Sequence, residues 1–337
     1  MKKVLVIGAT GAMGRFTVPH LVDLGYEVTG VGLEETFDWG VEATYIQGNA
    51  FDREFVKELL AQKFDGIINY MCYNDKKEDW RNWYQLYLDN TEHYIFLSSC
   101  RVYADEEVPV KESSPRLLDV SKDPDLLVSH DYCIYKARAE DVLFCSPYTN
   151  YSIVRPATTF SEMRFQLTTL EAEHTVGRAM KGKKVVLPLQ AKDKPATLSW
   201  GYDVAKMIAN LMFKPEAMRQ VYNVCSAESR TWGEIAEYYH ELCGLEAVWV
   251  DKEDYLKVKC KDGKITTSAR WQLEYGRMFH RITDNSKVLA VTGLKQEDCI
   301  PLYDALKMMI AAIPEGYVFP DTPMDARMDA YLEEHGL

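Results

Sequence analysis

The chain reads as an α/β protein, a doubly wound parallel sheet followed by a smaller α+β lobe. Three observations predict this. Short β-branched runs alternate with helical patterns through the first half. A glycine-rich turn joins the first run to the first helical pattern. The alternation then loosens after Arg155-Pro156. Alternation of this kind implies parallel strands with helices on both faces. We expect residues 1–156 to form the sheet domain, residues from about 197 to 226 to return to it, and residues 157–337 to make mainly the second lobe.

The elements follow in order. Lys3–Ile7 (KVLVI) is an unbroken apolar run ending at Gly8, which suits a strand buried on both faces. Met13–Leu24 carries apolar residues at helical spacing, and Gly25 stops it. Glu27–Val31 and Ala43–Ile46 are strands, and a helix runs from about Asp52 to Gln62. Gly66–Tyr70 is a fourth strand. A polar, aromatic helix is expected from about Lys77 to Leu88, with Trp80, Trp83, Tyr84 and Tyr87 spaced for packing. His93–Ser98 is a fifth strand, Asp131–Phe144 a helix and Tyr151–Val154 a sixth strand. Beyond Pro156 we expect helices near Leu170–Lys181, Tyr202–Phe213, Thr231–Leu242 and Pro301–Ile313, and strands at Val185–Leu189 and Val221–Val224. The tail from Pro314, rich in Pro and Asp, is expected to pack loosely.

Composition narrows the function. The 337 residues carry 39 Lys plus Arg and 51 Asp plus Glu, a net charge of −12. Such a chain repels phosphodiester backbones and anionic lipid, so nucleic-acid and membrane partners are not expected. Lys257–Lys264, with four lysines, reads as a solvated turn or hairpin. The eight cysteines make no C-x-x-C pair and no Cys/His cluster, so neither disulfide framework nor metal site is expected. Met1-Lys2-Lys3 leads into an apolar run too short for a signal peptide, and no apolar stretch reaches membrane-spanning length. The expectation is a cytoplasmic protein.

Gly8-Ala-Thr-Gly11-Ala-Met-Gly14 lies where a helix start presents unpaired N–H groups to a phosphate. Gly8 permits a tight exit from the strand. Gly11 lets the backbone approach a pyrophosphate, and Gly14 lets the helix pack on the sheet. This reads as dinucleotide binding. Glu34 and Glu35 lie about twenty residues past Gly14, where a carboxylate bonds ribose hydroxyls. No Lys or Arg occurs between Phe16 and Asp52, so a 2′-phosphate would find no cation there except Arg15, and NAD is expected over NADP.

Tyr132 and Lys136 are four apart at the start of a helix and share one face. Tyr135 and Lys136 point about 100° apart, so Tyr132 is the better partner. A free phenol titrates near ~10, and an adjacent ammonium brings it down. Ser98 or Ser99, at the end of a strand, can supply a hydroxyl to the same place.

These residues, with Gly48–Asp52, Leu97–Tyr103, Glu140, Val154-Arg155-Pro156, Asp203-Val204-Ala205 and Tyr222-Asn223-Val224, resemble the extended short-chain dehydrogenases/reductases of the NAD-dependent epimerase/dehydratase family. The resemblance covers most of the chain. It implies a Rossmann-type sheet domain and a substrate lobe. It makes Ser99, Tyr132 and Lys136 catalytic. Cofactor contacts are implied at Gly8, Thr10, Gly11, Ala12, Met13, Gly14, Glu34, Asn49, Ala50, Tyr70, Lys136 and Pro156. Substrate contacts are implied at Ser99, Tyr132, Thr158, Thr159 and Arg230, and a homodimer is expected. Where the family's 4,6-dehydratases carry Asp-Glu, this chain has Cys100 and Arg101, which disfavours water elimination. The stretch from Tyr73 to His93 is short for a sugar-nucleotide epimerase and resembles atypical members such as chloroplast stem-loop binding proteins. The expected activity is NAD-dependent oxidoreduction or epimerisation of a sugar or nucleotide sugar. The alternatives are a ketone or aldehyde reductase and a dinucleotide-binding or RNA-associated protein without turnover.

Overall fold

A computed structural model describes residues 1–74 and 78–337. In chain order, strand β1 (Lys3–Ile7) and helix α1 (Gly14–Asp23) lead to β2 (Glu27–Gly32) and β3 (Thr44–Gln47). Next come α2 (Arg53–Leu60), β4 (Gly66–Asn69), α3 (Tyr84–Leu88), β5 (His93–Leu97), α4 (Leu117–Val120), α5 (Pro124–Val128), α6 (Tyr132–Phe144) and β6 (Tyr151–Pro156). They are followed by β7 (Thr158–Phe160), α7 (Val176–Met180), β8 (Val185–Pro188), β9 (Pro195–Trp200), α8 (Gly201–Leu211) and β10 (Gln220–Val224). The last are β11 (Ser229–Thr231), α9 (Trp232–Cys243), β12 (Ala247–Val250), α10 (Lys252–Lys259), α11 (Thr267–Gln272), α12 (Ser286–Thr292), α13 (Leu302–Ala311) and α14 (Pro323–His335).

The chain divides into two compact units. The first comprises 1–157, 201–226 and 283–299; the second comprises 158–200, 227–282 and 300–337. The first unit is a seven-stranded sheet in the order β10-β6-β5-β4-β1-β2-β3. All six pairings are parallel. This is a Rossmann-like α/β fold, with the strand order reversing direction at β1. Successive side chains of a strand face opposite sides. Leu5 and Ile7 therefore join Val56, Leu59, Tyr87 and Leu143 in one apolar layer. Val4 and Val6 join Val18, Leu21, Val204, Ile208 and Val288 in the other. The helices are started by side chains the sequence supplies. Asp52 accepts from the N–H groups of Glu54 and Phe55 at the head of α2, a cap of about 1 kcal/mol.

In the second unit β9 pairs with β7 and with β11, and β12 pairs with β8. These pairings hold residues 195–200 in the second unit, so the return to the sheet unit begins at Gly201 rather than near 197. The segment 283–299 also belongs to the sheet unit, through packing of α12 on the apolar layer with Val204 and Tyr222.

Three expectations are corrected. The stretch 170–181 is not one helix, because Thr175 has non-helical backbone angles (φ −112°, ψ −96°) that separate a short turn from α7. The tail does not pack loosely: Met324, Met328 and Leu332 are buried, and the fully buried Arg178 bonds Asp325 (3.3 Å) and Asp329 (2.6 Å) of α14. Lys257 and Lys259 lie on α10, where Lys259 Nζ donates to the Thr169 carbonyl at 3.0 Å. The helix expected from Lys77 begins outside the described residues. Past it, Trp80–Asn82 forms a single tight turn before α3, and Trp80, Trp83 and Tyr87 are buried in the core. No helix among the described residues is long and apolar enough to cross a membrane.

Candidate active site

The glycine turn begins where β1 leaves the sheet. Gly8 has φ +77°, in the left-handed region that favours glycine. The N–H groups of Gly8 and Ala9 both donate to the Val31 carbonyl, tying the turn to β2. A Cβ on Gly14 would lie 2.2 Å from the Gly8 carbonyl oxygen and 2.7 Å from Ala9 Cα, so only glycine lets α1 start this close to the strand. Met13, at the head of α1, makes no side-chain cap. The Ala12 and Met13 N–H groups have no acceptor among the described residues. A start of this kind carries partial positive charge and unspent donors, which suits a phosphate.

Glu34 follows β2 and is brought to Thr10 by Gly32. A Cβ on Gly32 would meet Thr10 Cγ2 at 2.6 Å and Glu34 Oε2 at 2.8 Å. The Thr10 hydrogen bond, with a smaller contribution from the Arg15 charge, holds the Glu34 carboxyl below its usual range. Asn49 is exposed and its Oδ1 accepts the Phe51 N–H at 3.0 Å, which turns the chain into α2. Ala50 is buried in the apolar layer with Val56 and Leu59. The Tyr70 hydroxyl bonds Thr17 of α1 at 2.6 Å, and burial raises this phenol strongly. Pro156 is buried at the end of β6.

Ser98 and Ser99 follow β5, and the two hydroxyls divide. Ser98 Oγ donates to Glu140 Oε1 at 2.5 Å, on the buried side. Ser99 Oγ accepts the Arg101 N–H at 3.2 Å and lies beside the Tyr132 phenol. Tyr132 is the first residue of α6, whose cap Asp131 accepts the Cys133 N–H at 3.2 Å. Tyr135 points into the core and accepts the Trp80 N–H at 2.9 Å, so it takes no part. Lys136 Nζ donates to the Leu97 carbonyl at 2.6 Å and lies 5.8 Å from the Tyr132 ring centroid. Burial pushes the Tyr132 phenol up to about 12; the Ser99 hydrogen bond and the Arg101 charge pull it the other way. Burial also lowers the Lys136 ammonium. Burial outweighs the Arg101 charge at the phenol.

Ser99, Tyr132 and Lys136 are thus brought together. They lie beyond the carboxyl end of β5, on the same sheet edge as the glycine turn after β1, because all the strands run parallel. Ligands of open α/β sheets bind at this edge. Sequence reasoning noticed Arg101 only as a residue that is not an acid. Its spacing of two from Ser99 was the signal, because a tight turn there returns the chain towards α6.

Thr158, Thr159 and Arg230 belong to the second unit. Thr158 and Thr159 sit on β7 opposite Leu198 and Ser199. Arg230 on β11 bonds Glu228 at 3.0 Å and the Tyr238 hydroxyl at 3.0 Å. Among the described residues no cluster of His, Cys, Asp or Glu forms a metal site.

The family model described as the NAD-dependent epimerase/dehydratase family matches residues 4–225. The chain belongs to this family. No curated protein sequence matches it. Solved structures do. An epimerase from Methanothermobacter thermautotrophicus superposes with a TM-score of 0.68 at 15% identity, covering 92% of this chain and 91% of that one. The UDP-glucose 4-epimerase of Thermotoga maritima, solved with UDP-glucose, gives 0.66 at 17% identity over 92% and 97%. The UDP-glucose 4-epimerase of Thermus thermophilus, solved with NAD, gives 0.65 at 18% identity over 94% and 100%. At these identities the likeness is one of fold. Family membership rests on the sequence model, whose match spans the segments that carry the glycine turn and Ser99, Tyr132 and Lys136.

Proposed function

We propose that the protein is an NAD-dependent epimerase of a nucleotide sugar, with Tyr132 as the acid–base group. The observation that carries this reading is the meeting of Ser99, Tyr132 and Lys136 on the sheet edge that also holds the glycine turn. Support for the substrate class comes from the neighbouring folds, two of which are UDP-glucose 4-epimerases.

The cofactor fits the residues present. The turn from Gly8 to Gly14 leaves backbone room for a pyrophosphate and the Ala12 and Met13 donors unspent. The Glu34 carboxylate, held ionised by Thr10, suits a ribose diol and repels a 2′-phosphate, which favours NAD over NADP. When bound, NAD supplies the acceptor and donor of a hydride at the sugar carbon. Tyr132 takes the proton from the sugar hydroxyl and returns it, while Ser99 holds the same oxygen and Lys136 stabilises the phenolate. Cys100 and Arg101 supply no carboxylate after Ser99, which disfavours water elimination.

Tyr132→Phe is expected to lower turnover of the responsive nucleotide sugar at least ~10²-fold, the lower end of general acid–base contributions. NAD released on denaturation should be undiminished. A fully active variant sinks the assignment of the base, and a protein that holds no NAD sinks the cofactor reading.

A further inference from the structure

Around Tyr132 the charged and titratable groups come from four places. Lys136 lies on its own helix, and Asp131 caps that helix. Arg101 and Cys100 come from the turn after β5, and Cys72 from the segment after β4. Lys136 spends a short hydrogen bond on the Leu97 carbonyl, and burial weakens its hold on its proton.

Arg101 stands differently. Its backbone N–H donates to Ser99 Oγ, the hydroxyl beside the Tyr132 phenol, so the turn sets Arg101 and Ser99 at the same ring. The side chain is only 12% exposed. Its guanidinium carbon lies 5.6 Å from the Tyr132 ring centroid, as close as the Lys136 ammonium at 5.8 Å. Its ion pair to Asp131 is long at 3.4 Å. Its Nε is buried with no hydrogen-bond partner among the described residues. A guanidinium stays charged across the working pH range, and a buried one with spare donors is costly unless an anion forms beside it. Deprotonation of the phenol would create that anion.

We propose that Arg101 is a second cationic partner of the Tyr132 phenol, a positioning residue that eases its deprotonation alongside Lys136. This rests on the reading of Tyr132 as the acid–base group. Burial raises the phenol and weakens the Lys136 ammonium, and Asp131 offsets part of the Arg101 field. Two cations, 5.6 Å and 5.8 Å from the ring centroid, answer that need. The proposal explains why the position after Cys100 carries a base where the family's dehydratases carry an acid: in this chain the residue serves the phenol.

The test compares wild type, Arg101→Gln, Arg101→Lys and Tyr132→Phe. Turnover of a responsive UDP-sugar is followed against pH, and the Tyr132 phenol is titrated directly by NMR with ring-labelled tyrosine, Tyr132→Phe identifying the resonance. Removing the charge should move the acid limb of kcat and the phenol titration upward together by about one pH unit. That is about a tenfold loss of rate below the limb, regained as pH rises. Lys at 101 should restore most of the shift, and bound NAD should be unchanged in all variants. An unmoved phenol titration in Arg101→Gln overturns the proposal. So does a loss confined to KM with an unmoved pH profile, which would make Arg101 a substrate contact. Failure of the acid–base reading shows separately, as full activity in Tyr132→Phe. If no sugar nucleotide is turned over, the NMR titration still decides the coupling of Arg101 to Tyr132.

Discussion

Glu140→Gln tests the buried charge network behind the active-site strand. Glu140 is fully buried and accepts from Arg155 Nε (2.7 Å) and Nη2 (2.6 Å), from Ser98 Oγ (2.5 Å) and from Arg116 Nη1 (3.2 Å). Arg155 is itself 3% exposed and otherwise meets the Tyr103 ring and the Glu112 carbonyl. Glutamine keeps the shape and one acceptor oxygen. It removes the charge and turns an NH2 group towards donors. Stranding a buried cation costs about 3–5 kcal/mol, and most of that is the penalty on Arg155 rather than the net contribution of the pair. Chemical denaturation followed by tryptophan fluorescence measures the loss. Arg155→Met should cost a similar amount. The double substitution should cost less than the sum, by a coupling of at least about 1 kcal/mol, because each single change leaves the other partner unpaired. A loss below about 1 kcal/mol for Glu140→Gln, or strict additivity, would refute the argument that this network is held by mutual compensation.

Gly14→Ala is expected to push the start of α1 off the strand, because the added Cβ meets backbone that cannot turn aside. Overpacking of this kind costs about 1–3 kcal/mol, and NAD affinity by fluorescence titration should fall at least tenfold; normal affinity in a stable variant refutes the geometry of the turn. His93 is buried, accepts the Phe213 N–H on Nδ1 at 2.9 Å and so donates from Nε2 to Ser152 at 2.8 Å. Burial lowers its pKa to about 4, with Lys2 adding to the shift. The unfolded chain therefore binds a proton first as pH falls. Stability from this group is complete above pH ~6.5 and declines towards pH ~4, by about 3 kcal/mol. His93→Gln should flatten the acid limb of a denaturation midpoint–pH plot, and an unchanged limb contradicts the assignment.

The sheet was largely legible because its signals are local. An apolar run such as Lys3–Ile7 suits burial on both faces, and the glycine spacing from Gly8 to Gly14 marks the turn that follows it. Asp52, Asp131 and Thr231 announce helix starts that the structure confirms. The tail was misread because composition reports flexibility only when nothing covers the segment. Its Pro and Asp residues serve instead as a helix start and as partners for Arg178. In the site, helical spacing singled out Tyr132 and Lys136. It left Ser98 and Ser99 undecided, because adjacent residues in an extended strand end differ only in which side they face.

By itself the sequence determined the strand–helix alternation, the glycine turn, the pairing of Tyr132 with Lys136 on one helical face, and the lack of Lys or Arg between Phe16 and Asp52. All of these are set by neighbours within about one turn of chain. The tertiary structure decided which serine reaches the phenol, that Tyr135 belongs to the core, that Arg101 shares the Tyr132 ring, and that residues 283–299 complete the sheet unit. These depend on contacts between segments tens of residues apart, and burial and charge there are properties of the packed chain that no local pattern encodes.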